Sequence, residues 1–214
     1  MIEIFLKGGP VMWPLLLTSI VTLGVVIDRM WFIFHERRMR QPQVVENILE
    51  CLEAGLTDSA VEAGKNTTDF VARTLTYALS HRDTSLPQAI LRSSSRELKR
   101  FSRGLPVLDT VITLAPLLGL LGTVTCMIRS FNLLGATELS APTAITGGIA
   151  EALIATAFGL AIAITTLLPF NYLNSRQEEA RHELEDATTQ LELVLIKCSG
   201  GSCVLRESAE SVRA

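Results

Sequence analysis

Three long apolar runs, separated by charge-rich stretches, set the layout of this chain. Val11–Ile27 is 17 residues without a charge, and after Asp28-Arg29 the apolar pattern resumes through Met30–Phe34. Thr110–Ile128 is 19 uncharged residues between Asp109 and Arg129. Thr143–Asn171 is 29 residues with one charge, Glu151. A helix needs about 20 mostly apolar residues to cross a bilayer. The pattern therefore predicts transmembrane helices over 11–34, 105–131 and 142–173.

The intervening segment 35–104 is polar and carries a helical period. Pro42 opens a stretch in which Val44, Val45, Ile48, Leu49 and Leu52 fall on one helical face, and Gly55 closes it. Thr67 and Thr68 are candidate caps for a second helix with Phe70, Val71, Leu75 and Leu79. Ser85 is a candidate cap for a third, with Pro87 in its first turn and Ile90, Leu91 and Leu98 after it. Beyond the third span, Leu173, Ala180, Leu184, Ala187, Leu191 and Val194 make an apolar stripe on a helix over 174–199. The expected fold is an all-α integral membrane protein with three transmembrane helices, long helices extending into a cytoplasmic helical bundle. The remaining segments are a periplasmic N-terminus (1–10), a short periplasmic loop (132–141) and a disordered tail (200–214).

Charge orients this layout. The net charge of −3 over 214 residues calls for no nucleic-acid partner, but its distribution is uneven. Sixteen of the nineteen Lys and Arg residues lie in 35–104 or after Tyr172. The positive-inside rule then places the N-terminus outside and the bundle and C-terminus inside. Positive charge follows the first apolar run (His35-Glu36-Arg37-Arg38-Met39-Arg40) rather than preceding it, which favours a retained anchor over a cleaved signal peptide. On this topology Cys51, Cys198 and Cys203 face the cytoplasm and Cys126 lies in a span, so disulfides are not expected. No histidine accompanies the Cys198–Cys203 pair, and no metal site is expected.

Glu151 is the residue that most needs explaining. A carboxylate at the bilayer centre costs about 2.5–3.5 kcal/mol on insertion scales, and such groups usually face a bundle interior or water. The alternative is an interfacial position, because the 24 uncharged residues Ala152–Ser175 can span without it. Two stripes of small residues flank the question. Ala115, Gly119, Gly122 and Cys126 recur at four, three and four residues, and Ala152, Thr156, Gly159 and Ala163 do the same. Such stripes let backbones approach closely, on each other or on other copies. Thr123 and Thr156 are hydroxyls in apolar spans, where the usual partner is a carbonyl of the same helix.

Ala115-Pro116-Leu117-Leu118-Gly119-Leu120-Leu121-Gly122-Thr123-Val124 resembles the second-span signature of the ExbB/TolQ proton-channel family, part of the MotA/TolQ/ExbB superfamily, and is most like ExbB. Gly148-Ile149-Ala150-Glu151-Ala152-Leu153-Ile154-Ala155-Thr156-Ala157-Phe158-Gly159-Leu160 resembles its third-span signature. The resemblance is strong from about Asp109 to Asn174 and architectural before that. It implies a homopentamer in the bacterial inner membrane around a single-span ExbD/TolR-type subunit that carries a membrane aspartate. It further implies a TonB/TolA-type protein and membrane lipids as partners, protons as the coupling ion, and no other cofactor. Carried over by motif, Glu151, Thr123 and Thr156 match the pore-lining proton pathway. Thr125-Cys126 stand where the family often has Trp-Gly. Thr165 replaces a frequent proline, and Pro169 comes one turn later.

The expected function is a stator-like subunit that converts proton-motive force into mechanical work on the envelope or outer-membrane transport. A small secondary transporter would need a midplane substrate site, usually with inverted repeats or broken helices, and no repeat is visible. A structural membrane scaffold is the other alternative. An enzyme is not expected, because no nucleophile–base pair, metal cluster or phosphate loop appears. The lack of further span carboxylates or a carbonyl cage favours protons over sodium.

Overall fold

The computed structural model describes residues 8–134 and 141–199, less the side chains at 83, 84, 133, 134, 141–145 and 199. The expectations for residues 1–7, for most of the 132–141 loop and for the 200–214 tail lie outside the described residues. Among the described residues the chain forms seven α-helices and no strand: α1 Met12–Arg38, α2 Pro42–Glu53, α3 Thr57–Gly64, α4 Phe70–Ser80, α5 Arg82–Ser102, α6 Leu105–Leu134 and α7 Ala141–Ser199. Three helical stretches are long and apolar enough to cross a bilayer, within Met12–Arg38, Ser85–Asn132 and Thr146–Cys198. The contacts divide the chain into two compact units, 1–30 with 104–174 and 31–103 with 175–214.

The first unit joins the start of α1, all of α6 and the first part of α7. Its core is small: Val11, Met12, Leu15, Val111 and Ala115, with Leu118, Phe158 and Ile162 packed against them. Large apolar side chains point the other way. Trp13, Leu17, Ile20, Leu23 and Ile27 on α1 are each at least 60% exposed. In water that surface would drive aggregation, whereas lipid solvates it. The hydroxyls of Thr18, Thr22, Thr110, Thr113, Thr125, Thr165 and Thr166 donate to carbonyls three or four residues back. This self-capping removes their polarity from the hydrocarbon. Pro116 and Pro169 both lie inside continuous helices. Each removes one backbone donor, which a membrane helix tolerates when neighbours re-satisfy the freed carbonyl.

The 27 residues of α1 measure about 40 Å at 1.5 Å per residue, more than the ~30 Å hydrocarbon thickness. Its charged last turn, with His35, Arg37 and Arg38, therefore falls beyond the span and belongs to the second unit. That unit is a helical bundle with its own apolar core. Ile48, Leu52, Phe70, Val71, Leu75 and Leu79 pack with Ala180, Leu184, Ala187 and Leu191 of α7. Each fully buried Leu contributes about 1.5–3 kcal/mol by leaving water.

One local expectation needs correction. The cap of α4 is Asp69, not Thr67 or Thr68: its carboxylate accepts from the backbone N–H of Val71 (2.8 Å) and Ala72 (3.5 Å). Asp69 also accepts from the Gln41 N–H (2.8 Å) and from Arg40 Nη1 (3.3 Å), while Thr67 Oγ1 accepts from the Asp69 N–H. A carboxylate can accept several bonds at once, and an anion is favoured at a helix N-terminus, so Asp69 outcompetes the hydroxyls beside it. The third span runs on into the following helix as expected: 142–173 and 174–199 lie on one helix of 59 residues. No glycine interrupts α7 between Gly159 and Gly200, and the helix carries Pro169 through its interior without ending there.

Ser85 is extended (φ −171°, ψ 99°) within Arg82–Ser102, so the regular part of α5 starts after it with Pro87 in the first turn. Glu97 accepts from Arg73 Nη2 (2.8 Å) and Arg100 Nη1 (2.7 Å), and the buried Glu36 lies 4.0 and 3.9 Å from the same two guanidinium groups. Burial pushes the Glu36 carboxyl above the usual range, with Arg100 and Arg73 pulling against it.

Candidate functional site

The seam between α6 and α7 brings the two stripes of small residues together. A Cβ on Gly159 would lie 2.5 Å from the Ala115 carbonyl oxygen and 3.1 Å from Gly119 Cα. A Cβ on Gly119 would lie 3.0 Å from Thr156 Cα. Neither distance accommodates a side chain, so these glycines exist to let two backbones touch. Gly122 meets Ala155 in the same way, and Gly148 meets the hydroxyl of Ser130. Ala115, Cys126, Ala152 and Ala163 are all buried. Ala155, Ser130 and Gly148 belong to the seam and were absent from the sequence-predicted set. The signal for them was available: Gly148 precedes Ala152 by four, Gly159 follows Ala155 by four, and Ser130 follows Cys126 by four.

Thr156 departs from the pattern of its neighbours. Its hydroxyl donates across the seam to the Gly119 carbonyl of α6 (3.1 Å), 37 residues away. The bond exists because Gly119 has no side chain to cover its carbonyl. Thr123, one turn further along α6, donates to its own helix at the Leu120 carbonyl (2.7 Å). It is half-buried, at the flank of the seam.

Glu151 is half-buried. Its carboxylate stands against the backbone of Gly9, where any Cβ would collide with Oε1, and beside the Cys126 thiol. Gly9 has φ +74°, a conformation that favours glycine. Gly8 in turn packs against Met12 and Ile154. The turn that starts α1 thus lies over the carboxylate of α7. The structure brings Glu151 to Cys126 and Thr156 to Gly119, and it leaves the Thr123 hydroxyl on its own helix. Among the described residues no group of three or more His, Cys, Asp or Glu side chains forms a metal site.

Residues 44–186 match the profile of the MotA/TolQ/ExbB proton channel family. The biopolymer transport protein ExbB-like 1 of Synechocystis sp. is 38% identical over 201 residues, covering 91% of this chain and 78% of that one. The biopolymer transport protein ExbB of Neisseria meningitidis is 28% identical over 211 residues, covering 90% and 96%. The Tol-Pal system protein TolQ of Pseudomonas aeruginosa is 40% identical over 84 residues, covering 39% and 36%.

Proposed function

Because this multi-pass membrane chain belongs to the MotA/TolQ/ExbB proton channel family, we propose that it is the channel-forming, stator-like subunit of an inner-membrane motor driven by proton-motive force. Copies of the chain assemble as a pentamer around a single-span ExbD/TolR-type subunit whose membrane aspartate exchanges protons. The work is delivered to the envelope or to outer-membrane transport, with a TonB/TolA-type protein as its carrier. The N-terminus faces the periplasm, and the second unit faces the cytoplasm. Protons are the coupling ion, and no other cofactor is required.

The observation that carries this reading is the half-buried carboxylate of Glu151 in an otherwise uncharged stretch of α7. A titratable group held off lipid, with one side covered by Gly9 and Cys126, suits a proton-transfer step. Thr123 and Thr156 have complementary roles. A hydroxyl that donates its proton to a carbonyl still has lone pairs to accept from water. Thr123, at the flank of the seam, serves as such an acceptor. Thr156 serves by fixing α6 against α7, which sets the position of Glu151 five residues away.

The test is proton flux in liposomes containing the complex purified from its source membrane, with native mass spectrometry of the same sample. Glu151→Gln is expected to lower flux at least tenfold while five copies and the single-span partner stay together. Full flux in the variant would remove Glu151 from the pathway. A monomer or dimer without a companion would remove the motor.

A further inference from the structure

The second unit contains a cleft of about 580 Å³ walled by α3, α4 and α5. Its charged lining is Lys65, Arg73, Arg92, Arg96, Arg100 and Glu97. Arg92, Arg96 and Arg100 recur every four residues, so α5 presents a row of guanidinium groups on one face. Like charges at that spacing repel, and in a settled helix surface they are offset by acidic neighbours. Only part of this set is offset. Arg73 and Arg100 share Glu97 and lie near Glu36. Lys65, Arg92 and Arg96 make no ion pair among the described residues, and all three are exposed. Arg73 Nε is buried and has no hydrogen-bond partner.

We infer that this cleft binds a phosphate-bearing anion. Three unpaired cations facing one concavity ask for a ligand with more than one negative charge. Guanidinium forks match tetrahedral phosphate oxygens in pairs of hydrogen bonds. The volume lies in the usual range for small-molecule sites, about 300–1,000 Å³. The wall contributes a second element. Tyr77 and His81 stack at 4.3 Å, and His81 Nδ1 lies 3.0 Å from the Tyr77 carbonyl oxygen. A carbonyl only accepts, so Nδ1 carries a proton and donates to it. The hydroxyls of Thr76, Ser80 and Ser93 already donate to helix carbonyls and act only as spacers.

The phosphate can come from a soluble metabolite or from the headgroup of an anionic lipid, and the experiment separates them. The purified full-length complex in detergent is titrated with inorganic pyrophosphate by calorimetry. The same complex is placed in nanodiscs of phosphatidylglycerol or of phosphatidylcholine alone, and retained lipid is counted by native mass spectrometry. The test variant is Arg92→Gln with Arg96→Gln; both side chains are exposed, so the bundle core is untouched. Saturable pyrophosphate binding that weakens at least tenfold in the double variant, and in Lys65→Gln by less, supports a soluble ligand. Retention of phosphatidylglycerol by the wild type and its loss in the double variant supports a lipid headgroup. Equal behaviour of wild type and variant toward both probes overturns the proposal. So does a carbodiimide cross-link from Lys65 to a carboxylate of a second copy, because the cleft is then filled by a neighbouring chain.

Discussion

The face that α7 turns to α6 and the face it turns to the core of the second unit belong to one continuous helix yet are held by opposite means. In the second unit α7 turns Leu184 and Leu191 inward, both 1% exposed or less. In the first unit it turns Ala152, Ala155, Gly159 and Ala163 inward and sends Leu153, Ile164 and Leu168 outward. The difference follows from the solvent. Water rewards burial of large apolar side chains. Lipid is as apolar as leucine, so helices there gain from close backbone contact and from interhelical hydrogen bonds. The same polypeptide thus changes its packing rule part-way along a single helix.

The comparison can be broken from either side. The largest effect is expected at Leu184→Ala, which opens a cavity in the core of the second unit. Loss of about 2–5 kcal/mol is expected, read as a fall in the denaturation midpoint of the second unit. Next comes Gly159→Val, whose side chain would overlap the Ala115 carbonyl. Strain of about 1–3 kcal/mol or more is expected, and a cysteine pair placed across α6 and α7 should lose its cross-linking. Thr156→Val removes only the bond to Gly119 at nearly constant volume. Its cost is about 0.6 kcal/mol, with about 1.7 as the ceiling for such bonds, and Thr156→Ser should restore most of it. If Thr156→Val left the seam unchanged and still lowered proton flux, the hydroxyl would act on protons directly rather than through α6.

The smallest effect concerns Glu36. Its folded carboxyl titrates above the unfolded value, because burial outweighs the two distant arginines. The folded state then holds the proton more tightly than the unfolded chain. Stability from this group is fully present below the unfolded value and declines as pH rises through the folded one. Glu36→Gln removes that dependence. A thermal melt followed from pH 4 to 8 should show a flatter profile in the variant, with a shift of a few degrees at most.

The seam was legible in the sequence because small residues at four- and three-residue spacing have few other uses in an apolar run. The core of the second unit was legible for the mirrored reason, large apolar residues at helical spacing amid charge. What escaped depends on partners distant in the chain. Thr156 and Thr123 have the same local context, yet only Thr156 bonds across the seam, because only it faces a bare glycine carbonyl. Asp69 became the cap because the chain arrives with Gln41 and Arg40 beside it, 28 and 29 residues away. The Glu36–Arg73–Glu97–Arg100 cluster joins three helices that no spacing rule connects.

The turn at Gly9 has a genetic consequence. Gly9 and Glu151 stand far apart in the gene, yet they occupy one small volume. Any codon change that gives position 9 a side chain meets two obstacles together, a backbone angle suited to glycine and a carboxylate already in the space. Relief then has to come from position 151, where aspartate is shorter by one methylene. A change at position 9 is therefore expected to be relieved most directly by a shorter side chain at position 151, far away in the chain.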